Sequence, residues 1–384
     1  MNPSDPPYRL LAAVVTNPPP EHQLDVRADL VRLCIRATVK TILAGLVEDC
    51  IPYLAPASGS QNNDSSEDIR VTVDPELASR LEETAHALRQ AVPPQQDPLV
   101  LGRFRLTVKR TRAGQAIASA HLIWQAHAPG ISHVVLADDN PGSAKLLLRI
   151  VRAVALRLLL SRGWAPLHAA CYVKDSGAIG LLGGSSKGKT TTLLRALTAA
   201  DAGLLANDQV LIRDGASGPV ARGLPTAVAV RWDTASRFPP LQRLATRPQA
   251  LHCDNPSSPP TLVSNRSARL LVPPRLLAAA FAAQPVACAP LRALIVVDYR
   301  RTQREPIWRV PVSAKRPGLL RSHYLADWFP DNAYEHARLG HDPRLLRHTH
   351  DNVLARVAAR LPMAVFHPGH NAAGLTCLVG DLID

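Results

Sequence analysis

Gly183-Gly184-Ser185-Ser186-Lys187-Gly188-Lys189-Thr190 is a complete G-x-x-x-x-G-K-[ST] stretch, and its two flanks decide how it is read. Ahead of it, Ala178-Ile179-Gly180-Leu181-Leu182 is an unbroken apolar run, the pattern of a buried parallel strand. Behind it, Thr191 to Ala200 carries Leu193, Leu194 and Leu197 at helical spacing. Strand, glycine-rich loop and helix together form an anion nest. Successive backbone N–H groups point at one place, and the helix N-terminus adds its partial positive charge. In this reading Gly183, Gly184, Ser185, Ser186, Lys187, Gly188, Lys189, Thr190 and Thr191 cradle a nucleotide's phosphates. Lys189 reaches the β- and γ-phosphates, and the Thr190 hydroxyl holds Mg²⁺.

Composition sets the outer bounds. A chain of 384 residues is one large or two ordinary domains. With 46% hydrophobic residues it has ample material for a packed core, and with 4% aromatics that core must be built from Leu, Val, Ile and Ala. The net charge of +13 suits phosphate-rich ligands or nucleic acid, and equally suits the Ala/Arg/Pro bias of a GC-rich genome, which raises charge without a binding role. The arginines are dispersed and no basic stripe is interleaved with aromatics, so nucleic acid is not the expected partner. Cysteines stand at 34, 50, 171, 253, 288 and 377 with no Cys-x-x-Cys spacing. The N-terminus lacks a charged segment followed by an apolar one. Free thiols in a reducing cytoplasm are the expectation. Arg149, Arg152 and Arg157 interrupt the longest apolar stretch, Leu146 to Leu160, which argues against a membrane span.

Along the chain, residues 1–140 read as an α+β module and 141–384 as the nucleotide-binding domain. Leu10 to Val15 suggests a strand, Leu30 to Val47 a helix, and 55–68 a polar flexible loop. Ile69 to Val73 alternates as a strand. A helix follows from Pro75 to Ala91 with Asp74 as its N-cap. Leu99 to Val108, Ala116 to Gln125 and Ile131 to Ala137 read as strands, the first two joined by a hairpin at Arg112-Ala113-Gly114-Gln115. Ala144 to Arg162 is helical and ends at Gly163. Leu204-Leu205-Ala206 is a short buried strand, Asp214-Gly215 a hairpin turn, Leu291 to Val297 a strand, and Tyr334 to Leu361 mostly helical.

Phosphoryl transfer also needs an acid for the metal and a group to manage the nucleophile's proton. Two aspartates compete. Asp208 follows Leu204-Leu205-Ala206-Asn207. Asp298 ends Leu294-Ile295-Val296-Val297, which alone reads as the metal-binding strand of an ordinary P-loop NTPase.

His168 in Trp164-Ala165-Pro166-Leu167-His168-Ala169-Ala170, then the loop, then Leu205-Ala206-Asn207-Asp208-Gln209-Val210, gives an order that resembles the HPr kinase family and its relatives. The resemblance covers roughly residues 145–235. It implies an α/β fold, a P-loop kinase core related to phosphoenolpyruvate carboxykinase. It also implies ATP and Mg²⁺ as cofactors, a hydroxyl acceptor (a serine of a peptide or protein, with a small metabolite as the other option), and often a homo-oligomer. His168, Lys189 and Asp208 become the catalytic residues, with Thr190 and Asp208 on the metal. The chain departs from that pattern at Asn207, where the family has a second acid. It departs again at Lys187, where a smaller residue is usual, and around Asp233, a poor match for a family glutamate. A nucleotide-binding regulatory protein or a plain NTPase is the alternative.

Other polar clusters carry less. His348-Thr349-His350-Asp351, His367-Pro368-Gly369-His370 and His252-Cys253-Asp254 lack a third ligand at a recognised offset. Arg266 with Arg269, or Lys315 with Arg316 and Arg321, have the chemistry to clamp an acidic group.

Overall fold

A computed structural model describes residues 6–16, 22–28, 31–56, 65–91, 99–101, 104–113, 116–125, 131–198, 202–246, 251–253, 269–300, 305–311, 313–325 and 343–368. The chain divides into two compact units, Met1–Ala155 and Leu156–Asp384.

The first unit contains, in order, α1 (Pro6–Thr16), β1 (His22–Ala28), β2 (Val31–Ala37), α2 (Lys40–Cys50), β3 (Ala55–Pro56), β4 (Ser65–Val73) and α3 (Pro75–Ala91). These are followed by β5 (Leu99–Leu101), β6 (Phe104–Ala113), β7 (Ala116–Gln125) and β8 (Ile131–Leu136). The boundary between the units falls inside α4 (Pro141–Ser161). The strands form one mixed sheet in the order β3-β1-β2-β4-β8-β7-β6-β5, with β2, β4 and β8 parallel. The Leu77 amide donates to Asp74 Oδ1 at 2.9 Å, which is the N-cap read from the sequence. The β6–β7 hairpin closes at Ala113↔Ala116.

Three expectations are corrected here. Leu10 to Val15 lies in helix α1, not a strand. Its buried Leu11 and Val14 sit three apart and pack in one cluster with Leu77, Leu81 and Ala85 of α3. Leu30 to Val47 is strand β2 followed by helix α2. β2 is paired on both edges, and its burial leaves too little alternation to tell strand from helix. Of the stretch 55–68, the two ends belong to strands β3 and β4, and 57–64 lies outside the described residues.

The second unit begins with β9 (Ala165–Leu167), β10 (Ala169–Lys174), β11 (Gly177–Leu182), α5 (Lys189–Thr198), β12 (Gly203–Ala206), β13 (Val210–Gly215) and β14 (Gly218–Arg222). Next come β15 (Val228–Arg231), α6 (Trp232–Ala235), α7 (Pro239–Ala245), β16 (Leu251–Cys253), β17 (Arg269–Val272) and α8 (Pro274–Ala280). It closes with β18 (Cys288–Val297), β19 (Ile307–Arg309), α9 (Arg316–Arg321), α10 (Pro343–Arg360) and β20 (Met363–His367). Positions 334–342 of the expected C-terminal helix lie outside the described residues, as do 369–384.

The main sheet runs β12-β10-β11-β18-β14-β13-β9, with β20 on β18 and β19 on β20. Strands β11, β18 and β20 are parallel, as expected for the strand entering the loop, whereas β10 meets β11 as an antiparallel hairpin. The mixed α/β architecture follows from covering this sheet on both faces. Ile179 and Leu181 of β11 with Ile295 and Val297 of β18 point to one face, where Leu193, Leu194 and Leu197 of α5 meet them. Ala178 and Leu182 with Leu294 and Val296 point to the other, onto Val353, Leu354 and Val357 of α10. Burying each of the α5 leucines contributes about 1.5–3 kcal/mol, enough to fix the helix that starts at Lys189. A separate three-stranded sheet, β15-β17-β16, is antiparallel throughout.

Candidate functional site

The site is built at one end of β10. Pairing of β10 with β11 places Ala169 opposite Leu182, so the next residue on each side brings His168 beside Gly183. Pairing with β12 places Cys171 opposite Ala206, so Asn207 and Asp208 emerge at the same end. One strand with two antiparallel neighbours thus gathers the histidine, the loop and the acid, although they are dispersed in sequence.

The loop turns sharply as it leaves β11. Gly183 has φ +149°, and a Cβ there would lie 2.6 Å from the Val297 carbonyl oxygen of β18. Only glycine lets the chain pass this close to the neighbouring strand. Ser186, at φ 62°, also adopts a left-handed conformation. The helix starts at Lys189, with the Thr192 amide donating to the Gly188 carbonyl at 2.9 Å.

Lys189 is 5% exposed. Its Nζ donates to the carbonyls of Gly183 at 2.7 Å and Gly184 at 3.2 Å, and lies 3.3 Å from His168 Nε2. An ammonium only donates, so Nε2 is the accepting nitrogen and His168 carries its proton on Nδ1. Burial first, then the charges of Lys189 and His323, pull the His168 pKa down to about 4. His168 is therefore neutral near pH 7. Its 3.9 Å approach to Asp208 Oδ1 is a polar contact and not an ion pair. Burial likewise lowers the Lys189 pKa, opposed by the charge of Asp208.

Asp208 has φ +63°, a left-handed turn conformation that aspartate tolerates. Burial pushes its pKa above the usual carboxylate value, while Lys189 and Arg269 oppose the rise. With 47% of the side chain exposed, water limits that rise. Asn207, by contrast, is 3% exposed, and its Oδ1 accepts a hydrogen bond from Thr190 Oγ1 at 3.2 Å.

Asp298 plays a different part. Its carboxylate is held by Lys187 Nζ at 2.8 Å and by Arg300 Nε at 3.0 Å, while His367 Nδ1 lies 3.0 Å from its backbone carbonyl oxygen. The Tyr299 amide also donates to the Lys187 carbonyl at 3.0 Å. Lys187 thus turns away from the cleft to tether the loop to the end of β18.

A cleft of about 560 Å³ opens over the loop. Of the residues named from the sequence, it is lined by His168, Gly184, Ser185, Ser186, Gly188, Lys189, Thr190, Thr191 and Asp208. It is also lined by Arg195, Arg231, Arg237 and Arg269, with Asp233 and Tyr299. No three His, Cys, Asp or Glu side chains converge as a metal cage among the described residues. Mg²⁺ needs no such cage, because it keeps several waters and takes one or two protein oxygens plus phosphate. The hydroxyl of Thr190 and the carboxylate of Asp208 are oxygen donors of that kind, and both face the cleft.

Sequence reasoning missed His323. It is 6% exposed, and its carbonyl accepts from the His168 amide at 2.9 Å. Burial, and then Lys189, lowers its pKa to about 4. No local pattern around Arg321-Ser322-His323-Tyr324 marks it. The other clusters resolve as structure. His350 is fully buried against the Tyr324 hydroxyl at 2.7 Å. His348 bonds Asn352 on its own helix. Arg321 pairs with Asp351, and Arg316 reaches the Leu361 carbonyl at 3.5 Å. Asp254, Arg266 and His370 lie outside the described residues. Cys34, Cys50, Cys171 and Cys288 are free thiols. No described helix is long and apolar enough to cross a membrane.

No family model and no curated protein sequence matches the chain. Among solved structures it is similar to the Hpr(Ser) kinase/phosphatase from Coxiella burnetii, at 11% identity and a TM-score of 0.24, over 57% of this chain and 87% of that one. At that level the likeness assigns neither fold nor function.

Proposed function

We propose that the protein is an ATP- and Mg²⁺-dependent kinase of the cytoplasm that moves the γ-phosphoryl group to a hydroxyl. The observation that carries this reading is the meeting of Lys189, His168 and Asp208 at the mouth of the glycine-rich loop. The loop amides and the α5 N-terminus would bind the phosphates. Lys189 would leave its carbonyl partners for the β- and γ-phosphate oxygens. Thr190 and Asp208 would hold Mg²⁺, which when bound neutralises charge on the phosphoryl group and orients it.

The acceptor oxygen then bonds to the γ-phosphorus as the bond to the β-phosphate oxygen breaks, and ADP leaves. The hydroxyl proton would pass to the Asp208 carboxylate oxygen that is not on the metal. A loose transition state asks little of that base until the new bond is nearly formed, so a carboxylate is sufficient. Neutral His168 accepts from Lys189 and adds no second positive charge behind the loop.

The test is transfer of label from γ-labelled ATP, with Mg²⁺, to components of the source cell's extract, using Lys189→Ala as control. Label on an acceptor, lost in the variant, supports the kinase. Turnover unchanged in Lys189→Ala overturns it.

One observation favours a second reading, nucleotide binding without transfer. Asn207 stands where a second acid would sit, and it is bonded to Thr190. Label that stays on ATP while the nucleotide still binds would select this reading.

A further inference from the structure

Outside the loop itself, the lining of the cleft is positively charged to a degree that the phosphates of one nucleotide do not require. Arg231 ends β15 and Arg269 begins β17, and the two stand directly opposite each other in the antiparallel pair. Like charges in register on neighbouring strands destabilise a sheet. Arg237 lies beside Arg195 of α5, close enough that the two charges repel. All four line the cleft. Among the described residues none of the four side chains has a hydrogen bond or an ion pair. Arg231, Arg237 and Arg269 are exposed. Arg269 is also near enough to Asp208 to act on its charge, so this basic lining adjoins the group that takes the acceptor's proton.

Four guanidinium groups against two carboxylates, Asp208 and Asp233, in the lining of one cleft leave it net positive and complementary to an anion, and each fork matches a carboxylate in two-point geometry. The phosphates already have the loop amides, Lys189 and Mg²⁺. We propose that Arg231, Arg237 and Arg269 form a subsite for the acceptor, and that the acceptor is an acidic peptide segment whose serine or threonine is flanked by carboxylates. The inference rests on the kinase reading and names its substrate class. A peptide suits the site because the arginines belong to different elements along an open rim. Several carboxylates spaced on one chain reach them at once, whereas a small mono-acid occupies a single fork. Arg195, on the loop's own helix, adds its charge to the same lining.

The test uses the full chain and two synthetic peptides, a serine flanked by glutamates and the same serine flanked by glutamines. Binding and label transfer are measured for the wild type, Arg237→Gln and the pair Arg231→Gln with Arg269→Gln. Binding of a nucleotide analogue and the thermal midpoint are read on the same samples. The acidic peptide is expected to bind more tightly than its amide twin and to weaken with salt. It should lose roughly tenfold in affinity per arginine removed, the size of a charge-assisted contact. The double variant should melt no lower than the wild type, because a cross-strand repulsion has been relieved. Equal binding of both peptides overturns the subsite. So does loss of nucleotide with peptide binding retained, since the arginines would then serve the nucleotide. Preference for a small carboxylate over the peptide overturns the peptide assignment. If the wild type binds acidic peptide but moves no label to any acceptor, the kinase reading fails while the subsite stands.

Discussion

Lys187 Nζ lies 2.8 Å from Asp298 Oδ1, so the phosphate loop is tied to the end of the parallel strand beside it. This contact separates the two aspartates that compete for the metal. Asp298 is neutralised by Lys187 and Arg300, whose hydrogen bonds and charges hold its pKa below the usual carboxylate value against the effect of burial. Asp208 faces the cleft.

Asp298→Asn is therefore expected to leave Mg²⁺-dependent nucleotide binding within about threefold of the wild type, since a half-exposed ion pair contributes only about 0.2–1 kcal/mol. Asp208→Asn should remove most of the Mg²⁺ dependence. A titration of nucleotide affinity against Mg²⁺ in both variants checks this. The reverse ranking would make Asp298 the metal-binding acid and end the assignment to Asp208.

Gly183→Ala should damage the loop without touching a ligand. The added methyl meets the Val297 carbonyl at 2.6 Å, in a backbone conformation that L-residues rarely adopt. Strain of this kind costs about 1–3 kcal/mol. The expected result is a lower denaturant midpoint together with weakened nucleotide binding. A variant as stable as the wild type would show that the loop does not hold this path.

Much of this site was legible because its pieces are local. The loop, the strand before it and the leucines after it read directly, since apolar spacing and glycine chemistry act over a few residues. Asp208 emerged by way of the resemblance. The tether from Lys187 to Asp298, the carbonyl of His323 and the pairing of Arg231 with Arg269 did not emerge, because strand order and register are long-range properties that no local pattern encodes. Leu11 and Val14 were misread for a related reason. A short apolar run fits strand or helix until a partner, here α3, selects one face.

Acid should destabilise the protein through three buried histidines. His133, His168 and His323 each have a folded pKa of about 4, mainly through burial, against an ordinary value of 6.5. Between those limits the unfolded chain binds protons that the folded chain refuses. Stability is thus fully present above about pH 6.5 and falls as pH drops toward 4, by at most about 1.4 kcal/mol per pH unit for each histidine. His168 and His323 influence one another, so their effects share part of this total. Denaturant midpoints from pH 4 to 8 check the slope. A flat profile would mean that these imidazoles are not held neutral.

Lys189→Met isolates one cause of the His168 shift. Removing the ammonium 3.3 Å away takes out the second-largest contribution and leaves burial, the largest. The His168 pKa should rise but stay below 6.5, as read by the imidazole resonances. Nucleotide affinity and turnover should fall by about a hundredfold or more, the scale of a lost charge contact at a transferring phosphoryl group. An unmoved His168 pKa would place the ammonium elsewhere in solution.

Asn207→Asp tests what the missing acid does. Asn207 is buried and accepts from Thr190. An aspartate keeps that acceptor and adds a charge beside Asp208. Two neighbouring carboxylates raise one another's pKa unless a cation lies between them, so the variant should be less stable without Mg²⁺ and gain more stability from it than the wild type does. If the chain already transfers phosphate through Asp208 alone, turnover should stay level or drop. If Asn207 has disabled a former kinase, turnover should rise at least tenfold, a rough figure for a recovered general base. Thermal midpoints with and without Mg²⁺ report on the metal, and label transfer reports on the chemistry. A variant whose midpoint ignores Mg²⁺ would remove this end of β12 from the metal site.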